Sequence, residues 1–403
     1  MTSVQKALVI GGGVAGPAAA MALQKAGIEA VVYEAYSAPA DDVGVFLTVA
    51  TNGIDALRTV GSGKDVVAAG FPTPKITLRN SSGKDLGGTN TGATLPDGTK
   101  SHTIRRADLY RILQDDAVSR GIRIEGGKRL VDAEQTADGV RAVFADGTEA
   151  TGDIIIGADG IDSTVRKIID PNAPAPHYTG LINLGGYTDG VAVDTESCSY
   201  SMMFGKRAFF GYAVLPSREV WWYASLPHPG EPKKGELEAV DGLAWQRRLI
   251  SFFEGDSGPA VQLIKNTRDP ENLRATTTRS VPNLPTWHSD RMVIIGDAAH
   301  APTPTSGQGA SLSIEDGVVL AKCLRDLPTP KQAFATFEKL RRPRVENIIK
   351  VANSINNNKA PGPIGAAIRD AFTPIIMKLT SNSKFMMSQY DYHIEWEEPV
   401  KAA

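Results

Sequence analysis

Apolar and polar residues follow one another along this chain in two different periods. A charge-free strand signal, ALVI (7–10), enters a glycine turn, then PAAAMALQKAG (17–27) with apolar residues at helical spacing, then a second strand signal, EAVVYE (29–34). Strand, turn, helix and strand in that order form the βαβ unit of a doubly wound sheet. VATNGIDALRTVG (49–61) predicts another helix, and PKITLRNSSGKDLGG (74–88) predicts strand, turn and strand. RADLYRILQDDAVSRG (106–121) returns to the helical period, with Leu109, Ile112 and Leu113 on one face. From Lys128 to Ile156 the pattern is β.

The tripeptide ADG occurs three times in this stretch. At Ala137–Gly139 and Ala145–Gly147 it sits between short alternating segments, where Asp-Gly supplies the positive φ of a tight hairpin turn. The third copy, Ala158–Gly160, follows the apolar strand Ile154–Ile156 and precedes Asp162, Ser163 and Thr164, residue types that cap a helix, here TVRKII.

After the Pro- and Ala-rich loop PNAPAPHYTG (171–180) the texture changes. SCSYSMMFGKRAFFGYAVLPSREVWWYASLP (197–227) is β-patterned and rich in aromatics and methionine. Strand, turn and helix resume at RMVIIGDAAHAPTPTSGQGASLSIEDGVVLAKCL (291–324), and a helical tail runs from Lys331 until PGPIG (361–365) interrupts it. The expected fold is α/β: a Rossmann-like dinucleotide-binding domain (1–72, 102–172, 281–345), an inserted α+β substrate domain built on a β-sheet (73–101, 173–280) and a C-terminal helical segment (346–403).

Composition narrows the function. The 403 residues, 42% of them hydrophobic, exceed one ordinary core. A net charge of −2, a pI near 6.3 and no run of five basic residues argue against nucleic acid and anionic membrane surfaces as partners. Cys198 and Cys323 have no metal-ligand or CxxC spacing, so two inert buried thiols, a reducing compartment and no metal site are expected. The uncharged stretch Ala7–Leu23 contains four glycines and Pro17 and is short for a bilayer, so it reads as strand, turn and helix, and a cytoplasmic location is expected.

Gly11, Gly13 and Gly16 form GxGxxG directly after the first strand, with Val14 and Ala15 opening the helix and Glu34 closing the next strand. Such glycines permit a tight turn and close approach of a pyrophosphate to a helix N-terminus, while the acid accepts from a ribose. This reading leaves NAD and FAD open. VIIGDAAHAPTPTSGQG (293–309) repeats the strand and glycine-rich turn, and the Asp297 carboxylate suits a polyol hydroxyl, which the ribityl chain of FAD has and NAD lacks.

With IIIGADGIDSTVR (154–166), these motifs resemble the single-component, group A FAD-dependent monooxygenases, the aromatic hydroxylase family typified by 4-hydroxybenzoate hydroxylase. The resemblance covers most of the chain, including TFEKLRRPRVE (336–346). It implies that Gly11, Gly13, Gly16 and Glu34 bind the ADP half of FAD and that Gly296 and Asp297 contact the ribityl chain. Asp159 and Gly160 then serve the pyrophosphate and access of NADPH or NADH. Arg106, rather than Arg105, reaches the flavin, and Pro304, Gly307, Gly309 and Ala310 border its ring. Two positions depart from the family pattern: Ser311 stands where Asn is common, which puts its flavin contact in question, and Gly317 stands where Ala is common. Pro17 suits the first turn of a helix.

The implied reaction is reduction of FAD by NAD(P)H, addition of O2 and transfer of OH from a flavin hydroperoxide to an aromatic or polycyclic small molecule. The chain has a single complete dinucleotide fingerprint, so the nicotinamide is a transient co-substrate. Phe46, Met203, Phe204, Phe210, Tyr212, Trp222, Tyr223 and Pro304 are the candidate substrate contacts, a water-excluding apolar lid, although core packing is the competing role for each. His300 is read as structural, and no general base is nominated. Competing functions are an antibiotic-inactivating, tetracycline-type monooxygenase, a halogenase or flavin reductase, and a ligand-sequestering flavoprotein. VWWYASLP (220–227) lacks the WxWxIP signature of halogenases. Monomer and homodimer are both compatible with the tail, whose apolar face is expected to pack on its own domain.

Overall fold

The structure is a computed structural model and describes residues 4–37, 45–136, 138–356, 363–380, 383 and 387–401. The chain begins with β1 (Lys6–Ile10), α1 (Ala15–Lys25) and β2 (Glu29–Tyr33), then β3 (Phe46–Val49), α2 (Thr51–Thr59) and α3 (Lys64–Ala69). Next come β4 (Phe71–Pro72), the hairpin β5 (Lys75–Asn80) and β6 (Asp85–Asn90), β7 (His102–Arg105), α4 (Arg106–Ser119) and β8 (Arg123–Glu125). A meander of β9 (Leu130–Gln135), β10 (Val140–Phe144) and β11 (Glu149–Gly152) leads into β12 (Ile154–Gly157) and α5 (Thr164–Ile169).

The second half contains β13 (His177–Thr188), β14 (Ser199–Phe204), β15 (Phe209–Val214), β16 (Val220–Pro227), α6 (Gly242–Phe253), α7 (Ala260–Lys265) and β17 (Thr276–Ser280). It ends with β18 (Met292–Ile294), α8 (Gly309–Asp326), α9 (Pro330–Asn356) and α10 (Pro363–Thr380).

Four sheets organise these elements. The first is five-stranded, in the order β18-β12-β1-β2-β8 with parallel pairing throughout. Its central strands are apolar on both faces, as a sheet covered on both sides requires. Helices α1 and α8 cross close together because Gly317 has no side chain: a Cβ there would lie 2.8 Å from the Ala19 backbone. The alanine common in the family would therefore clash, so glycine at this departure is a packing requirement.

The large sheet, in the order β17-β13-β16-β15-β14-β5-β6, recruits β5 and β6 from early in the chain, and only its β14–β5 pairing is parallel. Side chains alternate across it. One face, with Phe210, Tyr212, Trp222 and Met203, packs under α6 and α7 through Trp245, Leu249, Phe253 and Leu263. The other face meets the small sheet β3-β7-β4.

The turns divide by chemistry. Gly147 adopts φ +80° between β10 and β11, as its Asp-Gly predicts. Ala137 lies outside the described residues, and Gly139 uses no positive φ. What Gly139 provides is room, since a Cβ would sit 2.3 Å from the Gly152 carbonyl oxygen. Cys323 is buried, which pushes its thiol up to about 12, whereas Cys198, expected to be buried, is half-exposed before β14.

Candidate active site

The cofactor cradle starts where β1 ends. Gly11 has φ +112°, and a Cβ there would lie 2.2 Å from the Ala158 carbonyl oxygen, so only glycine fits against the β12 turn. A Cβ on Gly16 would meet the Gly11 carbonyl oxygen at 1.9 Å, whereas one on Gly13 would meet nothing within 4 Å. Two glycines thus permit packing and the third keeps space open above the turn. Val14 stands at the N-cap of α1 without a side-chain cap and Ala15 begins the helix, so the first amides of α1 remain available to an anion. Glu34 closes β2, its carboxylate accepting from the Gly12 amide at 2.6 Å and the Tyr36 amide at 3.0 Å. Gln114 of α4 donates to the Gly12 carbonyl at 2.6 Å.

Gly296 and Asp297 form a 3₁₀ turn after β18. Asp297 and Arg106 are both set deep among protein atoms yet keep accessible surface, which places them on the wall of a cleft. Burial raises the Asp297 pKa, opposed by the charges of Arg106 and His300. Arg106 donates through Nε to the Tyr110 hydroxyl at 2.7 Å. Arg105 points elsewhere, 4.9 Å over the Tyr187 ring and 5.4 Å over Trp221, with Glu219 at 3.6 Å.

The Asp159 carboxylate is engaged by the start of α5. It accepts from Ser163 Oγ at 2.5 Å and from the amides of Thr164 at 2.7 Å and Val165 at 3.1 Å, while Ser163 caps α5 by accepting from the Arg166 amide. The side chain therefore shapes the turn, and Gly160 adopts φ +75° with open space beside it. Arg166, which the motif reading did not single out, is buried and donates to the carbonyls of Ala298 (2.9 Å) and Ile161 (2.6 Å).

The third glycine-rich loop runs from Pro304 through Gly307, at φ +60°, to Gly309 and Ala310 at the start of α8. Ser311 is a correction. Its hydroxyl is buried and accepts from the Ala50 amide at 3.0 Å, so it caps α2 and is committed away from the cleft. Gln308 is held by Asn52, whose Nδ2 donates to Gln308 Oε1 at 2.9 Å and to Glu315 Oε1 at 2.6 Å.

Behind this loop lies a buried ionic network. His300 Nε2 is 2.5 Å from Asp316 Oδ2, which also accepts from the Gly296 amide at 2.9 Å. Asp316 pairs with Arg341 at 2.7 Å, Arg341 with Glu315 at 2.6 Å, and Glu315 with Arg344 at 2.8 Å. Burial opposes ionisation of Asp316, but the charges of His300 and Arg341 with their hydrogen bonds outweigh it and hold the carboxyl at about 2. His300 is thus a structural partner of α8.

The aromatic wall follows the parity of the strands. Phe46 packs against Tyr200, Trp221 and Tyr223 with ring centroids 6.2, 5.9 and 6.1 Å away, and Phe204 lies on the same face against Phe209. Met203, Phe210, Tyr212 and Trp222, expected to face the ligand, lie on the opposite face beneath α6 and α7, because neighbours in a strand point to opposite sides. Their partners in alternation, Tyr200, Met202, Phe209 and Trp221, occupy the cleft side instead. Burial pushes the Tyr223 phenol up to about 12 despite a hydrogen bond with Tyr200.

A glycine turn, an open helix N-terminus and a carboxylate beside an arginine are together the parts of a dinucleotide-binding site. Residues 4–352 match the FAD binding domain family, and the chain belongs to it. It is 31% identical over 351 residues to aurachin C monooxygenase/isomerase of Stigmatella aurantiaca, covering 85% of this chain and 86% of that protein. It is 28% identical over 346 residues to the FAD-dependent urate hydroxylase of Klebsiella pneumoniae, covering 85% and 88%. The structure of Klebsiella pneumoniae HpxO complexed with FAD and uric acid has the same fold, with a TM-score of 0.84 at 24% identity over 97% of each chain. The protein is therefore an FAD-dependent monooxygenase of the aromatic hydroxylase type, and the space above Gly13, the uncapped α1 terminus and the accessible Asp297 fit FAD.

Proposed function

We propose that the chain is an NAD(P)H-driven monooxygenase that hydroxylates an aromatic or polyketide-like small molecule by the hydroperoxide route, with O2 as the oxygen source. One observation carries this reading. Strand β3 brings Phe46 into the aromatic wall and pairs with β7, whose last residue directly precedes Arg106. A single small sheet thus joins the substrate-side rings to the cofactor-side arginine.

FAD, when bound, supplies the redox and oxygen-transfer chemistry. The α1 terminus and Gly13 would hold the pyrophosphate, Glu34 the adenosine ribose, Asp297 the ribityl hydroxyls, and Pro304, Gly307, Gly309 and Ala310 would border the ring. Phe46, Tyr200, Phe204, Trp221 and Tyr223 exclude water and pack on the substrate. Arg105, the cation stacked on this wall, has Glu219 beside it, which favours an uncharged ring over a carboxylate. The phenols of Tyr200 and Tyr223 supply the polar contacts.

The test is anaerobic mixing of the oxidised protein with NADPH or NADH, alone and with a panel of phenols, quinolones, polyketides and tetracyclines, following loss of flavin absorbance. Acceleration by one ligand class is expected, and the class identifies the substrate. If no ligand permits reduction by either nicotinamide, the reading falls.

A further inference from the structure

Strand pairing sets the cleft face of the large sheet out in rows. Along β13 and β16, Tyr187 stands opposite Trp221, Gly185 opposite Tyr223, and Asn183 opposite Ser225. The Tyr223 ring leans away from β13, over Gly211 of β15, where a Cβ would lie 2.3 Å from a Tyr223 ring carbon and 3.1 Å from the Tyr200 hydroxyl. On its other side Gly185 has no side chain, and Val45 packs over it, 2.6 Å from where a Cβ would be. Beside Tyr223, the next side chain that β13 presents toward Ser225 is therefore Asn183. It is half-buried, whereas its neighbours Ile182 and Leu184 are buried on the opposite face beneath α6 and α7.

This end of the face is short of hydrogen bonds. Asn183 Oδ1, Ser225 Oγ and Thr278 Oγ1 are buried without a hydrogen-bond partner among the described residues. Thr276 of β17 pairs with Asn183, so Thr278, two residues on, lies on the same side. Unsatisfied buried polar groups are few in native structures and costly, and three together on the face assigned to the substrate mark a place that a ligand completes. The site is also uncharged. The positions that β14, β15 and β16 present to this side carry no charge, nor do Asn183, Gly185 and Tyr187 of β13. Two cations approach from other elements, and each has an anionic partner. Arg105 has Glu219 at 3.6 Å, and Arg369 of α10, 4.7 Å over the Phe204 ring, has Asp370 at 2.7 Å. The large apolar residues of α10 are exposed, contrary to the expectation that the tail packs them on its own domain.

We propose that Asn183, with Ser225 and Thr278 behind it, is the specificity-determining end of the substrate site and selects an uncharged ring that carries a cyclic amide. A carboxamide holds a donor and an acceptor side by side, the complement of a ring N–H next to a C=O. Ser225 and Thr278 each add a hydroxyl that both donates and accepts. A carboxylate finds no unpaired cation here, and a phenol uses only half of the carboxamide. This substrate class deepens the reading of the aromatic wall as the substrate side and rests on it.

The experiment is titration of the oxidised, FAD-loaded protein with three bicyclic probes, the lactam carbostyril, the phenol naphthol and the carboxylate naphthoate, followed by perturbation of the flavin absorbance. Carbostyril is expected to bind most tightly. Asn183→Leu, similar in volume, should weaken carbostyril by roughly tenfold and naphthol by less than about twofold. Ser225→Ala removes an unsatisfied hydroxyl, so it should leave urea stability unchanged or raised while weakening carbostyril by about threefold. The proposal is overturned if carbostyril binds no more tightly than naphthol or naphthoate, or if Asn183→Leu weakens the probes alike or leaves carbostyril unchanged. Should Asn183→Leu not fold, Ser225→Ala decides, and an unchanged carbostyril affinity overturns the proposal. The titration uses no nicotinamide and no turnover. Carbostyril binding without reduction by NAD(P)H would strike the hydroxylation reading and leave the cyclic-amide site standing.

Discussion

Arg166 donates through Nη1 to the carbonyl oxygen of Ala298, 2.9 Å away, and so ties the helix after the third ADG to the turn that carries Asp297. Its other terminal nitrogen donates to the Ile161 carbonyl at 2.6 Å. One buried guanidinium thus joins the turn at Ile161 to the turn at Ala298, which are distant in sequence. Arg166→Ala leaves two carbonyls without their charged donor and opens a cavity, a loss of about 3 kcal/mol. Urea unfolding should show this loss, and the folded fraction should release FAD more readily on dilution.

Asp297→Ala removes the carboxylate whose charge interacts with that of Arg106. Hydrogen bonds to a charged group contribute about 1.5–3 kcal/mol, so FAD affinity should fall by roughly tenfold to a hundredfold. Flavin fluorescence titration of the apoprotein measures it. A variant that purifies with full flavin and full activity would remove Asp297 from the cofactor site.

Asp316 is held at about 2, below its ordinary 3.8, by His300 and Arg341. A carboxyl depressed in the folded state contributes stability that is complete above pH ~4 and lost as pH falls toward 2. The shift corresponds to about 2 kcal/mol. Asp316→Asn should flatten the acid limb of the stability–pH curve. At neutral pH it should destabilise by about 3–5 kcal/mol, since Arg341 is left in the interior with one carboxylate partner fewer.

His393 Nδ1 lies 2.5 Å from Asp55 Oδ2 and pins the C-terminal segment to α2. The Asp55 hydrogen bond raises the His393 pKa against the effect of partial burial. A raised histidine stabilises fully below its unfolded pKa near 6.5 and loses that contribution as pH rises through the folded value. Hydrogen exchange in residues 387–401 should therefore quicken more between pH 6 and pH 9 than the intrinsic rate predicts, and His393→Gln should abolish the excess.

What the sequence reveals about the site depends on how local each pattern is. The glycines of the first turn, Glu34 and the Gly296–Asp297 pair are contiguous with the strands and helices that use them, so spacing alone locates them. Asp159 is also local, but the capping residues Ser163 and Thr164 that made the motif visible are the groups that engage its carboxylate. Ser311 has the capacity to hydrogen-bond, and only the distant Ala50 amide determines where that capacity goes. The ionic network is less legible still, because Asp316 meets Arg341 across the α8–α9 turn and His300 from a different loop.

The large sheet shows the same limit and yields the sharpest test. Its period of two places Trp221 and Trp222 on opposite faces, but which face meets the cleft depends on where α6 and α7 settle, which strand alternation does not encode. Trp222 is fully buried against Phe210 beneath those helices, so Trp222→Ala should cost about 3–5 kcal/mol of stability in a urea titration. Trp221 packs edge-on against Phe71 and Tyr187 and tilted against Phe46 on the cleft side. Trp221→Ala should spare more of the stability, raise KM for the aromatic substrate, and increase the fraction of NAD(P)H oxidised without hydroxylation as water reaches the cleft. If the two variants exchange these phenotypes, with Trp222→Ala uncoupling turnover and Trp221→Ala unfolding, the sheet is placed with the wrong face toward the cofactor.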